Sequence, residues 1–200
     1  MAKIFEFSGG SYIDKVSGAV GVPSGGWSWA RTEKGLAWRG NGVDSLITLG
    51  ATTVIGTVFS FSCWVRLIDN SSSFRVLAGY TNDSYPLILR ADLGLMYTHD
   101  GISNVSDIRL EITDGEWHHI LVTREDTSVY FYVDGVIGAE KTLATNNAIS
   151  IDRLFRRASA FNYKGNCANI QIYDHVLTSN ERAKLLNEFN NSYPITRTIS

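Results

Sequence analysis

Two adjacent histidines, His118 and His119, are the side chains whose types point most directly to catalysis or metal binding. They lie in a segment of strand-forming composition, residues 117–124, which we predict to be a β-strand. Because successive side chains of a strand point to opposite faces, the two imidazoles cannot hold one metal ion together. We therefore expect structural roles for both rings, such as a hydrogen bond across a sandwich.

Carboxylates are the second group that could carry chemistry, because hydrolysis of a glycosidic bond uses a pair of acids facing one cleft. The densest acidic segment contains Glu111, Asp114 and Glu116. Glu111 and Asp114 would point to opposite sides of an extended chain, and Asp114-Gly115 is a turn sequence. The sequence motifs of serine hydrolases, zinc proteases and phosphate-binding loops are absent. We expect no catalytic residue, and a glycoside hydrolase is the least favoured alternative.

Aromatic side chains beside amides and carboxylates form the third group, because a sugar is held by an aromatic platform together with a few polar groups. Trp27 and Trp29 flank a glycine-rich loop and could also be exposed. The same aromatic residues could instead anchor the core or the loops, and the sequence leaves both roles open. The tentative ligand-binding residues are Asn82, Asp83, Tyr85, Tyr97, His99, Asp100, Arg156, Arg157, Asn162 and Tyr163.

The basic residues form one cluster, which contains Arg153, Arg156 and Arg157. It could meet an acidic protein surface or an anionic glycan, or it could be a solvated loop. The formal net charge of the whole chain is −2. Without a basic stripe to neutralise a phosphate backbone, we expect no binding to nucleic acid. No apolar segment is long enough to span a membrane as a helix.

The N-terminal residues lack the long apolar run of a secretory signal peptide, so we expect synthesis in the cytoplasm without one. The chain contains two cysteines, Cys63 and Cys167. Two cysteines in a chain of this length do not form a disulfide framework, and we expect small, buried, reduced side chains. Whether the two sulfurs meet stays open at this stage.

The elements that must position these residues are strands, because the dominant hydrophobic period is two. Residues 57–65 place Phe59, Phe61, Cys63 and Val65 on one face. Asp134-Gly135 between two such runs predicts a tight hairpin turn, because primed turns need positive φ angles. Further strands are predicted over residues 4–7, 36–38, 45–49, 74–79, 86–91, 93–98, 107–112, 117–124, 128–133, 136–143, 150–155 and 168–173.

One short C-terminal helix is predicted after Thr178, which can cap it together with Glu181 in a capping box. Residues 23–26 are predicted to be a loop within a domain, and low-complexity tracts and repeats are absent. Many short strands with one helix indicate an all-β sandwich or barrel. We predict a single domain over residues 1–200.

Four segments follow one another along the chain in a distinctive order: GLAWRGNGVDSL at 35–46, FSFSCWV at 59–65, DGEWHHILVT at 114–123 followed by VYFYVDG at 129–135, and ANIQIYDHVLT at 168–178. Together they resemble the laminin-G-like and pentraxin-like domains of the concanavalin A-like lectin/glucanase superfamily. The resemblance implies a two-sheet antiparallel jelly-roll sandwich. It implies little about function, since this fold carries lectins, adhesion modules, hydrolases and structural proteins.

Calcium is the cofactor that the resemblance brings with it. Calcium needs six to eight oxygen ligands, mostly from loops, and residues 81–84 correspond in place to a metal-bearing loop of pentraxin-like members. Those members add a second, acidic loop, whereas the corresponding residues here, 154–163, are basic and would repel a cation. We assign no metal ligand and expect no cofactor, with calcium as an open alternative.

The functional expectation is a non-catalytic binding or structural module that contacts glycans or partner proteins through loops at one rim of the sandwich. The absence of a signal peptide and of a further domain favours display on a larger assembly, such as a phage or another virion, or a homo-oligomer. The alternative is a free soluble glycan-binding lectin, with or without calcium.

Overall fold

The computed structural model describes residues 2–8, 11–33, 35–68, 74–80, 84–90, 95–108, 112, 114–156 and 162–191, and sixteen strands and one helix lie among them. The strands are β1 (Lys3–Phe7), β2 (Val22–Ser24), β3 (Ser28–Thr32), β4 (Gly35–Asn41), β5 (Leu46–Gly56), β6 (Val58–Leu67), β7 (Phe74–Gly79), β8 (Tyr85–Arg90), β9 (Leu95–His99), β10 (Asn104–Ile108), β11 (His118–Glu125), β12 (Ser128–Val133), β13 (Val136–Ile137), β14 (Lys141–Thr142), β15 (Ile149–Leu154) and β16 (Lys164–Tyr173). The helix is α1 (Ser179–Asn191).

The strands form two sheets, and the strand pairs of the described residues are antiparallel. One sheet has nine strands in the order β13-β12-β11-β6-β16-β4-β3, with β1 paired to β16 and β14 paired to β12. The other has seven strands in the order β10-β9-β8-β7-β15-β5-β2. This architecture confirms the two-sheet jelly-roll sandwich predicted from the sequence.

The hydrophobic core fills the space between the two sheets, and the sequence of β6 shows how alternation builds it. The inward side chains Phe59, Phe61, Cys63 and Val65 are all fully buried in one cluster with residues of the opposite sheet. The outward side chains Ser60, Ser62 and Trp64 are buried as well, because β6 lies in the middle of the nine-stranded sheet beneath the residues that precede α1. The buried Ser60 is satisfied by hydrogen bonds to the His175 carbonyl and from the Leu177 amide.

The hairpin predicted at Asp134-Gly135 is confirmed. Asp134 has a φ of 50° and Gly135 a φ of 83°, which are the left-handed conformations of a primed turn. The turn joins β12 to β13, so β13 forms one edge of the nine-stranded sheet. The single strand predicted over residues 136–143 is instead two short strands, β13 and β14, because residues 138–140 leave the ladder.

The edge of the sandwich near the N-terminus differs most from the prediction. The loop predicted over residues 23–26 begins with strand β2, in which Pro23 pairs with Ile47 of β5. Proline is tolerated there because β2 is an edge strand and its outer side needs no ladder hydrogen bond. Strand β3 was also not predicted, and β5 extends to Gly56 instead of ending at residue 49.

Helix α1 begins as predicted, with Thr178 as its N-cap. The Thr178 amide donates to Glu181 Oε2 over 2.8 Å, and the Glu181 amide donates to Thr178 Oγ1 over 3.4 Å, which is the capping-box arrangement. Leu185 and Leu186 pack the helix against the outer face of the nine-stranded sheet. Within the described ranges, no helix is long and apolar enough to cross a membrane.

The two cysteines lie on neighbouring strands of one sheet. Cys63 is on β6 and Cys167 on β16, and Cys167 faces Val65, two residues along β6 from Cys63. Both are free thiols and fully buried. Burial raises the pKa of Cys167, and a hydrogen bond with Cys63 adds to the effect, so the pair behaves as apolar core residues.

Candidate ligand-binding rim

The structure separates the tentative ligand-binding residues into different parts of the sandwich. Tyr85 and His99 face each other across β8 and β9 and stack with ring centroids 5.1 Å apart at an interplanar angle of 20°. Both are partly exposed, so they form a small aromatic surface on the seven-stranded sheet. Tyr97 lies on β9 two residues before His99. Asn82, Asp83 and Arg157 lie outside the described residues.

Asp100 does not face a ligand, because it is 3% exposed and its carboxylate holds a loop together. It accepts hydrogen bonds from the amides of Ile102 and Ser103 and, over 2.6 Å, from Thr145 Oγ1. Burial opposes ionisation of Asp100, but these hydrogen bonds outweigh it and lower its pKa to about 2. The binding role predicted for Asp100 is therefore corrected to a structural one.

Tyr163 is also removed from the candidate surface. Its side chain is fully buried, its ring lies 5.5 Å from that of Phe155, and its hydroxyl donates to the Asn166 carbonyl over 2.7 Å. It belongs to the core between the sheets. A large aromatic residue in a strand-rich sequence has the same appearance on either face, so sequence alone did not separate these roles.

Arg156 and Asn162, which precede Tyr163 along the chain, lie at the other end of the sandwich from the Tyr85–His99 pair. Arg75, near the start of β7, donates to the Asn162 carbonyl over 3.4 Å. The other end of β7 lies near Tyr85. The amide of Tyr80, one residue after β7, donates a hydrogen bond to the carbonyl of Ser84, which directly precedes Tyr85. The length of β7 therefore separates the two groups.

We call the surface around Arg156 and Asn162 the rim cluster. It consists of residues 24–27, residues 41–45, Arg156 and Asn162, together with an aromatic group described below. Its centre is Asp44, whose Oδ1 accepts 2.8 Å hydrogen bonds from the Gly26 amide and from Asn41 Nδ2. These hydrogen bonds lower the pKa of Asp44, and the nearby charge of Arg156 contributes further.

Glycines allow the two loops of the rim cluster to touch. A Cβ on Gly25 would overlap the Asp44 carbonyl, and a Cβ on Gly26 would overlap the Asn41 amide. Gly25 also has a φ of 71°, in the left-handed region that glycine adopts without strain. Gly25-Gly26 is thus the sequence feature that fixes this rim, although the sequence alone indicated only a loop.

Asn162 connects the rim cluster to the start of β16. Its Nδ2 donates to the Val43 carbonyl over 2.5 Å, and the Gly42 amide donates to the Tyr163 carbonyl over 3.0 Å. The other side-chain atom, Asn162 Oδ1, is buried and accepts no hydrogen bond. Arg156 Nε is likewise buried without an acceptor. Among the described residues, the rim cluster therefore contains one buried acceptor and one buried donor without a hydrogen-bond partner.

An aromatic group borders residues 24–27 of the rim cluster. Trp27 and Trp29 have ring centroids 5.8 Å apart, and Tyr12 lies 5.2 Å and 5.3 Å from them. All three are partly exposed. Trp29 Nε1 donates to the Tyr12 hydroxyl over 3.1 Å, and the Trp29 ring packs 5.5 Å from the fully buried Trp38. The group is thus a surface platform anchored to the core.

The sequence pointed to part of this aromatic group. Trp27 and Trp29 are two positions apart, and that spacing places both on one face of an extended chain. Tyr12 was not predicted, because it reaches the tryptophans from a different part of the chain.

The predicted basic cluster is divided. Arg153 makes a two-point ion pair with Asp152, with distances of 2.7 Å and 3.2 Å, while Arg156 belongs to the rim cluster.

The rim cluster does not fit a calcium ion. Across the described ranges no group of three or more His, Cys, Asp or Glu side chains could hold a metal. Asp44 Oδ1 already accepts two hydrogen bonds, and the Arg156 charge lies close by. Calcium prefers several carboxylate and carbonyl oxygens that are free to coordinate it.

The two histidines have opposite environments, as the strand alternation predicts. His118 Nδ1 lies 2.7 Å from Asp134 Oδ2 and its Nε2 lies 3.0 Å from Asp114 Oδ1, and these carboxylates raise its pKa to about 9 against the effect of burial. His119 is 2% exposed and shares a 2.9 Å hydrogen bond with Ser62 Oγ. Burial lowers the pKa of His119 to about 4. Both act within the fold.

Comparison with known proteins gives the same architecture. The chain is similar to domain 4 of AbnA, a GH43 extracellular arabinanase from Geobacillus stearothermophilus, in complex with arabinotriose, at 18% identity and a TM-score of 0.68 over 92% of this chain and 98% of that one. It is similar to the binding domain of botulinum neurotoxin serotype G at 15% identity and a TM-score of 0.71, and to that of Paraclostridial Mosquitocidal Protein 1 at 16% and 0.68.

These toxin domains are longer than the chain: it is covered to 96% and 94% but spans 52% and 51% of them. No curated protein matches the chain. At these identities the structural likeness establishes the fold alone. A family model described as the concanavalin A-like lectin/glucanases superfamily matches residues 41–181, which is more than half of the chain, and the chain belongs to that superfamily.

Proposed function

We propose that this chain is a non-catalytic glycan-binding module and that the rim cluster is its sugar-binding surface. The observation that carries the proposal is the partly exposed group of Tyr12, Trp27 and Trp29 beside the polar groups of Asn41 and Asp44. Sugar sites combine an aromatic face, which packs on the C–H side of the ring, with a few fixed polar groups. The arrangement is held by the core and the loop hydrogen bonds, so binding needs little reorganisation.

The structural neighbours support the same class of function. Domain 4 of AbnA is described in complex with arabinotriose, and the toxin domains are described as binding domains. Three described acidic residues support a non-catalytic role, since Asp44, Asp100 and Asp114 each accept hydrogen bonds from backbone amides that hold loops in place. A hydrolase needs two carboxyl groups that face one bond.

The proposal is tested by glycan-array binding of the wild-type chain and of Trp27→Ala, with Tyr85→Ala as a matched aromatic control on the seven-stranded sheet. We expect Trp27→Ala to weaken binding about tenfold, which corresponds to about 1.4 kcal/mol for one lost ring contact. Tyr85→Ala should bind as the wild type does. Equal binding by Trp27→Ala and a loss in Tyr85→Ala would move the site to the Tyr85–His99 pair. Release of reducing ends from a bound glycan would contradict the non-catalytic role.

The wider context stays a prediction from the sequence. Display on a phage or another virion, assembly into an oligomer, synthesis in the cytoplasm and a calcium-assisted lectin activity are each open to direct measurement. A glycan array with and without a chelator, together with sizing of the purified chain, separates a free lectin from a subunit of an assembly.

A further inference from the structure

We propose that the rim cluster selects glycans that carry a carboxylate and that Arg156 is the residue that confers this selectivity. The inference rests on the proposed glycan-binding function and adds a ligand class to it. A hexuronic acid has the required chemistry, because it joins a sugar face that can pack on an aromatic ring to a planar anionic group.

Arg156 carries a charge that the described protein does not neutralise by contact. It forms no ion pair or hydrogen bond with the described residues, and its Nε atom is buried without an acceptor. The side chain as a whole is partly exposed. Because an arginine always carries its charge and presents its donors in a planar fork, such a group matches a carboxylate in a two-point geometry.

Asp44 does not replace that missing partner. Its charge is close enough to Arg156 to be felt, yet the two side chains do not form an ion pair. Its Oδ1 atom is already held by Gly26 and Asn41. Asp44 therefore stabilises the loop and orients the rim, while the terminal nitrogens of Arg156 make no contact with the described residues that would keep them from a ligand.

Asn162 is the residue that we expect to accept a hydrogen bond from a hydroxyl group of the ligand. Its Nδ2 is bonded to the Val43 carbonyl, one residue from Asp44, so the amide is fixed in orientation. Its Oδ1 is a buried acceptor without a donor. Leaving a buried acceptor unpaired costs free energy, so a small shift of the Asn162 side chain that lets a ligand hydroxyl reach Oδ1 would gain affinity. A uronic acid carries such hydroxyls next to its carboxylate.

A neighbouring arginine has a different environment. Arg153, three residues earlier, is paired with Asp152 through two hydrogen bonds. Among the described residues, Arg156 has no equivalent acidic neighbour in contact. With a net charge of −2 over the whole chain, long-range attraction for anions is weak, so selectivity for acidic glycans must arise locally.

The experiment uses isothermal titration with matched glycan pairs, each consisting of an oligosaccharide of galacturonate and its carboxyl-reduced, neutral counterpart. We expect the wild type to bind the acidic member at least tenfold more tightly. Arg156→Gln should bind both members equally, at the wild-type affinity for the neutral one, and Arg156→Lys should keep part of the preference. Arg31→Gln, which removes an exposed arginine from β3, is the charge-matched control and should keep the full preference.

The outcomes separate this inference from the proposed function. Equal wild-type affinity for the two members, or an equal loss for both in Arg156→Gln, overturns the role of Arg156 but leaves glycan binding intact. Normal binding of both members by Trp27→Ala overturns the rim as the sugar site. Failure of the wild type to bind any pair overturns the selectivity for uronates, and the glycan array then decides whether the rim binds another sugar. Equal affinity for a sulfated neutral glycan and for the uronate would show that the site recognises anions in general. That result would contradict the proposed selectivity for carboxylates.

Discussion

At the scale of single residues, burial decides which polar side chains are free to bind. Asp100 and Tyr163 have types that suit ligand binding, but the fold uses the first to hold a loop and the second to fill the core. Asn162 and Arg156 have ordinary types for a loop, yet each keeps a buried atom without a partner. Sequence gives the residue type and, through alternation, the face, but not the depth or the partner.

His119 provides a prediction at this scale because its ring is buried in the neutral form. Its pKa is about 4 in the folded chain and 6.5 as a free side chain. Between these values only the unfolded chain binds the proton, so the stability contributed by the neutral ring is complete above pH 6.5 and falls as the pH drops towards 4. From pH 7 to pH 5 we expect His119 by itself to contribute a loss of about 2 kcal/mol in the free energy of unfolding.

Urea unfolding at pH 7 and pH 5 measures this loss. In His119→Gln the titrating group is absent, so the decrease between the two pH values should be smaller by about the same amount. His118→Gln is the matched control, and its effect should have the opposite sign. The raised pKa of about 9 keeps the folded His118 ring charged at both pH values, whereas the unfolded ring gains its proton between them, so His118 adds stability as the pH falls. Its removal should therefore make the decrease between pH 7 and pH 5 somewhat larger. A decrease in His119→Gln as large as that of the wild type would contradict the buried neutral imidazole.

At the scale of elements, the predicted strands were accurate wherever alternation was strong and failed at the sheet edges. β7 was predicted with its observed bounds, and the Asp134-Gly135 hairpin was confirmed. β2 and β3 were not predicted, because Pro23 and the glycines that follow it are typical of a loop. An edge strand nevertheless accommodates proline. The same edge carries the candidate site, so the part of the chain hardest to predict is the part proposed to function.

Asn41 provides the prediction at this scale, because one side chain organises the loop between β4 and β5. Its Oδ1 accepts hydrogen bonds from the Val43 and Asp44 amides and from Ser45 Oγ. We expect Asn41→Ala to lower the free energy of unfolding by about 1–2 kcal/mol and to weaken glycan binding, since Asp44 loses a donor. Urea unfolding and titration of the same sample measure both effects.

Asn104→Ala is the matched control for that experiment. Asn104 is an exposed asparagine on the edge strand β10, where it pairs with His99 away from the rim cluster. It should change neither stability nor binding appreciably. A loss of stability in Asn41→Ala without any loss of binding would show that the loop is structural and lies apart from the sugar site.

At the scale of the whole molecule, four ordered sequence segments predicted the fold, but they did not predict the candidate site. Those segments gave the superfamily and the two-sheet sandwich, both of which the structure and the family match bear out. The rim cluster instead joins residues near 12, 27, 44 and 160 of the chain. Contacts between positions so far apart depend on the register of β5, β15 and β16, which local sequence patterns do not encode.

Nuclear magnetic resonance mapping of the bound surface tests directly whether the rim cluster binds a glycan. A glycan that binds on the array is titrated into the isotope-labelled chain, and the backbone and indole N–H resonances are followed. We expect the largest shifts at the Trp27 indole and at Gly26, Asn41 and Asp44. Shifts confined to the surface around Tyr85 and His99, with the Trp27 indole unchanged, would contradict binding at the rim cluster.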